Sequence, residues 1–138
     1  MASHNTSSQF TGGMAFTTLL NGHSITTDLA ATGGGLDKGP RPKALMLLAL
    51  SGCTGLDVVS ILNKMRVSFT DFVIDINADL TDEEAATYKT VQLIYKIKVA
   101  EEDKPKVEKA VNLSLEKYCG VAAMFRKFAT VTKEIVYL

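Results

Sequence analysis

Hydrophobic positions along this chain change period several times, and each change marks an element. From Ala44 to Leu50 every position is apolar, so a helix there has no polar face and belongs in an interior rather than on a surface. The run is too short to span a membrane, which takes about 20 apolar residues. Beyond the small residues Ser51, Gly52, Cys53, Thr54 and Gly55, the positions Val58, Ile61, Leu62 and Met65 recur at helical spacing. Leu56 and Val59 widen that stripe, and Asp57, Ser60 and Lys64 oppose it. The spacing predicts one long helix within Pro42 to Arg66, with Pro42 in the first turn, where its missing N–H is not needed.

Elsewhere the period is two. Met14–Leu20 and His23–Leu29 flank Asn21-Gly22, the pair that best tolerates the positive φ of a type I′ hairpin turn. Phe72, Ile74, Ile76 and Ala78 alternate with Asp71, Val73, Asp75, Asn77 and Asp79, which predicts a half-buried strand over Phe69–Leu80. Thr81–Glu84 is a polar turn, and Val91, Leu93, Tyr95, Ile97 and Val99 predict the hairpin partner. Glu101–Lys104 is a charged connection, and Pro105 then opens a helix with Val107, Ala110, Val111, Leu115 and Tyr118 on one face. It is expected to stop at Cys119-Gly120. A short helix over Val121–Phe128 and a last strand through Val131, Ile135 and Tyr137 complete the chain.

The pattern is α+β. A disordered lead-in is expected over residues 1–13, a flexible Gly- and Pro-rich loop over Ala30–Pro42, and a single domain over residues 14–138. The all-apolar helix must be covered on every side. An antiparallel sheet covers one, and a second subunit is expected on the other.

Composition narrows the function. Lys plus Arg and Asp plus Glu both number 15, so the formal net charge is zero, which argues against nucleic acid or a membrane surface as partner. The N-terminal residues lack the basic and apolar segments of a secretory signal, so the cytoplasm is the expected location. Two cysteines there are reactive or simply buried rather than a structural staple.

Cys53, between Gly52 and Gly55, is the first candidate. Gly inside a helix costs roughly 1 kcal/mol against Ala, which suggests that a helix or a small substrate approaches the backbone there. The bland alternative is a small core residue. Thr54 and Asp57 fit a capping box. If a helix restarts at Thr54, Cys53 lies at its N-terminus and its thiolate is favoured. If the helix runs unbroken, Asp57 stands one turn from Cys53 and disfavours the thiolate. Cys119, at a helix end, is the second candidate. Zinc held by Cys53, Cys119 and His23 lacks paired-ligand spacing, so neither metal nor cofactor is expected. Gly33-Gly34-Gly35 lacks the Lys-Ser/Thr ending of a phosphate loop, and no Ser, His and acid grouping stands out.

From Met14 to Leu138 the chain resembles the OsmC/Ohr family, most specifically in GPRPKALMLLALSGCTGLDVVSILNKMR and in LSLEKYCGVAAM with its second cysteine at a helix junction. The resemblance implies an α+β fold in which two subunits intertwine, their long central helices wrapped by sheets. It also implies a thiol peroxidase: Cys53 attacks an organic hydroperoxide, its sulfenic acid condenses with Cys119, and a dithiol reduces the disulfide. The alternative is a non-catalytic member that binds a small hydrophobic molecule in the dimer crevice. Peroxidase members carry a Glu ten residues before the first cysteine, where this chain has Lys43 followed by Ala44. They carry an Arg in the N-terminal strand region, where this chain has none before Arg41. Pro usually follows their second cysteine, and Gly120 stands there. Lys43, Arg41 and Asp57 are therefore the candidate supporting residues.

Overall fold

In the computed structural model, which describes residues 2–138, the chain divides between Met46 and Leu47 into two compact units. The first unit is a three-stranded antiparallel meander, β1 (Ser7–Gly12), β2 (Ala15–Leu20) and β3 (His23–Thr27). The Asn21-Gly22 hairpin forms as the sequence predicts, with φ of 50° and 81°. β1 corrects the expected disordered lead-in. Gly12 and Gly13 take positive φ and turn Ser7–Gly12 back onto β2. The Ser8–Thr18 hydroxyls then pair at 2.6 Å, and the Phe10 and Phe16 rings lie 5.7 Å apart.

The segment after β3 is tied rather than loose. Asp28 is buried, and its carboxylate accepts the amides of Leu29, Leu36 and Lys38 at 2.7, 3.1 and 3.1 Å. These bonds, led by the Lys38 amide, hold its carboxyl below the usual range. The Asp28 amide donates to Pro40 O. A Cβ on Gly35 or Gly39 would stand 2.0 Å from a carbonyl oxygen of Leu29 or Thr26, so only glycine fits this closure.

The second unit holds the core. Helix α1 (Leu45–Lys64) opens at the end of the first unit, and the rest of it packs with β4 (Phe69–Leu80), β5 (Tyr88–Val99), α2 (Lys104–Leu113), α3 (Gly120–Phe125) and β6 (Thr130–Tyr137). β4 pairs with β5 antiparallel along its length, with an irregularity between Thr70 and Val73. β6 pairs with β5 in parallel, so this sheet is mixed where a purely antiparallel one was expected. The physical reason is the connection: α2 and α3 carry the chain back to the end of the sheet where β5 began, which a tight hairpin cannot do. α2 takes Pro105 in its first turn, as predicted. It continues as a π-helical turn over Ser114–Tyr118 and ends at extended Cys119, at the Cys119-Gly120 stop that the sequence predicts. Tyr118, expected on the buried face, is thereby swung out and exposed.

α1 is unbroken through Gly52 and Gly55, so no helix restarts at Thr54. Its twenty residues are long and apolar enough to cross a membrane by length and composition, although Ala44–Leu50 alone is not. The stripe Leu50, Thr54, Val58 and Leu62 is buried at i, i+4 spacing and packs in the core with Leu93, Tyr95, Ile97, Val107 and Val111. That makes it the core helix of a folded unit. Within one chain Ala44–Leu50 is not covered on every side: Met46 is 43% exposed and Leu48 65%.

Candidate functional site

Three elements of the second unit converge on one spot. α1 contributes Cys53, Thr54 and Asp57. β5 contributes Tyr95. The π-helical turn contributes Ser114, and the junction after it contributes Cys119. The turn closes through a Cys119 amide bond to Ser114 O at 2.7 Å, the wide ring that defines a π-type turn and that recurs at functional sites. Cys119 is then the N-cap of α3, its sulfur accepting the Ala122 amide at 3.3 Å. The Arg126 guanidinium donates to Leu115 O and ties α3 to the turn.

The sulfurs of Cys53 and Cys119 and a carboxylate oxygen of Asp57 all lie within 4.8 Å of one another. Cys53 is half-buried and Cys119 is 2% exposed. Burial and its hydrogen bond with Cys53 push the Cys119 thiol up to about 12, and the Cys53 and Asp57 charges add to this against the lowering effect of the Ala122 amide. Cys119 is therefore a thiol at neutral pH. Of the two readings of Thr54-Gly55-Leu56-Asp57, the structure selects the one in which Asp57 shares a face with Cys53.

Behind the thiols runs a buried hydroxyl chain. Tyr95 Oη and Thr54 Oγ1 are 2.7 Å apart, Thr54 Oγ1 and Ser114 Oγ 2.7 Å, and Ser114 Oγ donates to Asp57 Oδ2 at 2.9 Å. A carboxylate only accepts. Ser114 spends its one proton on Asp57, so it accepts from Thr54, which accepts from Tyr95. All three hydroxyls thus point one way, toward Asp57. Burial pushes the Tyr95 phenol up to about 12, which keeps it a donor. The competing bond from Ser114 Oγ to Thr54 O is longer, at 3.5 Å. The sequence reading passed over Ser114 and took Tyr95 for packing. The available signal was Thr54, one hydroxyl inside the otherwise apolar stripe Leu50–Thr54–Val58–Leu62.

Arg41 and Lys43 belong to the first unit, where Arg41 Nη1 pairs with Asp37 Oδ1 at 2.5 Å and donates to Gly39 O. His23 opens β3 of that unit. Among the described residues, the metal-capable grouping with both cysteines takes Asp57 as its third member, not His23. Of the glycines beside Cys53, a Cβ at Gly55 would touch Ile74 Cδ1 at 3.3 Å, whereas one at Gly52 meets nothing within 4 Å. Gly55 is explained by strand β4; Gly52 is not explained within the chain.

The family model described as OsmC-like protein matches residues 34–134. The chain belongs to the OsmC-like family. Protein YhfA of Escherichia coli K12 is 34% identical over 112 residues, 81% of each chain. A solved hypothetical protein of Aquifex aeolicus superposes with a TM-score of 0.81 at 26% identity, covering 100% of this chain and 99% of its own. An organic hydroperoxide resistance protein of Legionella pneumophila superposes at 0.68, with 14% identity and 99% of each chain covered. At that identity the likeness is one of fold, and this OsmC-like chain shares it from end to end.

Proposed function

We propose that this OsmC-like chain is a cytoplasmic thiol-dependent peroxidase acting on organic hydroperoxides. The observation that carries the reading is the close thiol pair with unequal access, Cys53 half-buried and Cys119 enclosed. In this scheme the Cys53 thiolate attacks the outer peroxide oxygen. The O–O bond breaks, the alkoxide leaves as an alcohol after taking a proton, and Cys53 becomes a sulfenic acid. Cys119 then attacks that sulfur, its proton leaves with the hydroxyl as water, and a Cys53–Cys119 disulfide forms. A dithiol returns both thiols by exchange. Asp57 is the carboxylate within reach of both sulfurs and is assigned the relay of the Cys119 proton to the departing hydroxyl. The high pKa of Cys119 suits a resolving thiol that stays unreactive until its partner is oxidised. The Legionella protein's named role in hydroperoxide resistance supports the reading.

This chain lacks the strand Arg of peroxidase members, and Lys43 stands where they carry the Glu. Without an Arg fork a thiolate is held less well, so turnover is expected below that of members with the Arg and Glu. A homodimer is part of the proposal. Leu48 and Leu56, with Gly52, form an apolar surface, and a groove of about 370 Å³ lies beside it, lined by Ser51, Gly52, Gly55, Leu56, Val59, Phe72 and Ile74. The same groove favours a second reading, a non-catalytic member that holds a small hydrophobic ligand.

The test is hydroperoxide consumption with a dithiol, followed by mass spectrometry under non-reducing conditions. One equivalent of hydroperoxide is expected to form the intramolecular disulfide. Cys53→Ser is expected to abolish consumption, and Cys119→Ser to leave a trappable sulfenic acid with dithiol turnover down at least about tenfold, or about 1.4 kcal/mol. Two thiols that survive hydroperoxide intact would leave the binding reading.

A further inference from the structure

We propose that Cys53, Asp57 and Cys119 form a site for one borderline-soft divalent cation of the Zn²⁺ class, with its fourth position open. The donor set comes first. Two sulfurs and a carboxylate select zinc-like ions over Mg²⁺ or Ca²⁺, which take oxygen alone. The geometry is close to what the ion needs. With Zn–S near 2.3 Å and Zn–O near 2.1 Å, tetrahedral ligand atoms stand about 3.5–3.8 Å apart. The three atoms here already lie within 4.8 Å of one another, so each pair closes by at most about 1.3 Å, within reach of small side-chain rotations.

The ligands are placed rather than loose. Cys53 and Asp57 stand at i, i+4 on one face of α1, the spacing by which a helix offers two ligands to one ion. The Ser114 hydroxyl donates to Asp57 Oδ2 at 2.9 Å and fixes the carboxylate. The Ala122 amide holds the Cys119 sulfur at 3.3 Å. Such outer contacts orient ligands and commonly carry 10–100-fold in affinity. Asp57 also lines an open groove of about 550 Å³ with Lys64, Lys109 and Tyr118, which provides an entry path and room for a fourth ligand. Binding releases both thiol protons. Two thiolates, one carboxylate and a divalent ion leave one net negative charge beside the two lysines.

This proposal does not depend on the peroxidase reading. The test titrates the full chain, reduced with a phosphine rather than a chelating dithiol, with Co²⁺ and then Zn²⁺. One equivalent of Co²⁺ per chain is expected to give a thiolate charge-transfer band and the visible bands of a tetrahedral ion, both erased by Zn²⁺. Asp57→Asn is expected to weaken Co²⁺ binding at least about tenfold. Should that variant not fold, native alkylation decides: one equivalent of Zn²⁺ is expected to protect both cysteines. Absence of the charge-transfer band, unchanged affinity in folded Asp57→Asn, or cysteines unprotected by Zn²⁺ would each overturn the site. Hydroperoxide consumption, assayed separately on metal-free protein, separates the two ideas. A chain that consumes hydroperoxide and binds no Co²⁺ loses this site alone, and one that binds Co²⁺ without consuming hydroperoxide keeps it.

Discussion

The core-facing side of α1 carries one hydroxyl within an apolar stripe, and the side facing away is apolar and bare. The side facing the core encloses a hydroxyl, Thr54, fully buried and joined to Tyr95 and Ser114, with Cys53 and Asp57 at its margin. The side facing away shows Leu48, Gly52 and Leu56, none of them covered by the second unit's own sheet. A buried hydroxyl is tolerated only when its hydrogen bonds are satisfied, and large leucines stay exposed at a cost unless something covers them. The polar side is complete within one chain and the apolar side is not. The comparison teaches that one side of this helix aims Cys53 and Asp57 at Cys119, while the other stays apolar and uncovered within one chain.

The comparison breaks most sharply on the apolar side. Leu56→Glu puts a charge on the surface proposed to meet a second copy. Burying an unpaired charge costs several kcal/mol, so the dissociation constant of the dimer is expected to rise at least about 100-fold. Sedimentation at micromolar concentration checks this, and a wild-type chain that sediments as a folded monomer would end the dimer proposal. The hydroxyl chain and the Cys53–Cys119 proximity are expected to survive in the variant, because neither uses that side.

On the polar side the effect is smaller. Thr54→Val keeps the shape but leaves the buried Tyr95 hydroxyl without an acceptor and Ser114 without its donor. A loss of about 1–3 kcal/mol in unfolding free energy is expected, read by denaturant titration. In a Tyr95→Phe background the added cost of Thr54→Val is expected to shrink, since one of the two orphaned groups is gone. Equal costs in both backgrounds would mean that the directed chain does not act as a unit.

A further effect lies in the pH dependence. The folded Cys119 thiol is raised from its ordinary 9.0 to about 12, and Tyr95 from 10.0 to about 12. Both groups lose protons earlier in the unfolded chain than in the folded one. Their contribution is therefore complete below about pH 9 and is lost as pH rises toward 12. Unfolding at graded alkaline pH is expected to show this decline, shallower in Cys119→Ser. A decline identical in wild type and Cys119→Ser would mean that the thiol is not held in its protonated form by the fold.

Local physics carried much of the fold into the sequence. β4 was legible because apolar Phe72, Ile74, Ile76 and Ala78 alternate through its middle, and the Asn21-Gly22 turn forms because those two residues accept positive φ. Strand β1 was harder to see, because Ser7–Gly12 has a polar, exposed pattern on both faces and gains its order from β2. The cysteines were visible as a pair of candidates because residue type and flanking glycines are properties of the chain itself. Their proximity was not, since 66 positions separate them and only the π-helical turn after α2 brings Cys119 back to α1. Ser114 and Tyr95 were invisible for the same reason: a hydroxyl acquires a role from what it faces, and facing is decided by packing. By itself the sequence determined the elements and the chemistry on offer, because period, turn residues and side-chain type act over a few neighbouring positions. The tertiary structure alone decided that Asp57 is the carboxylate beside both thiols and that the leucine side is open, because these depend on contacts between residues far apart in the chain.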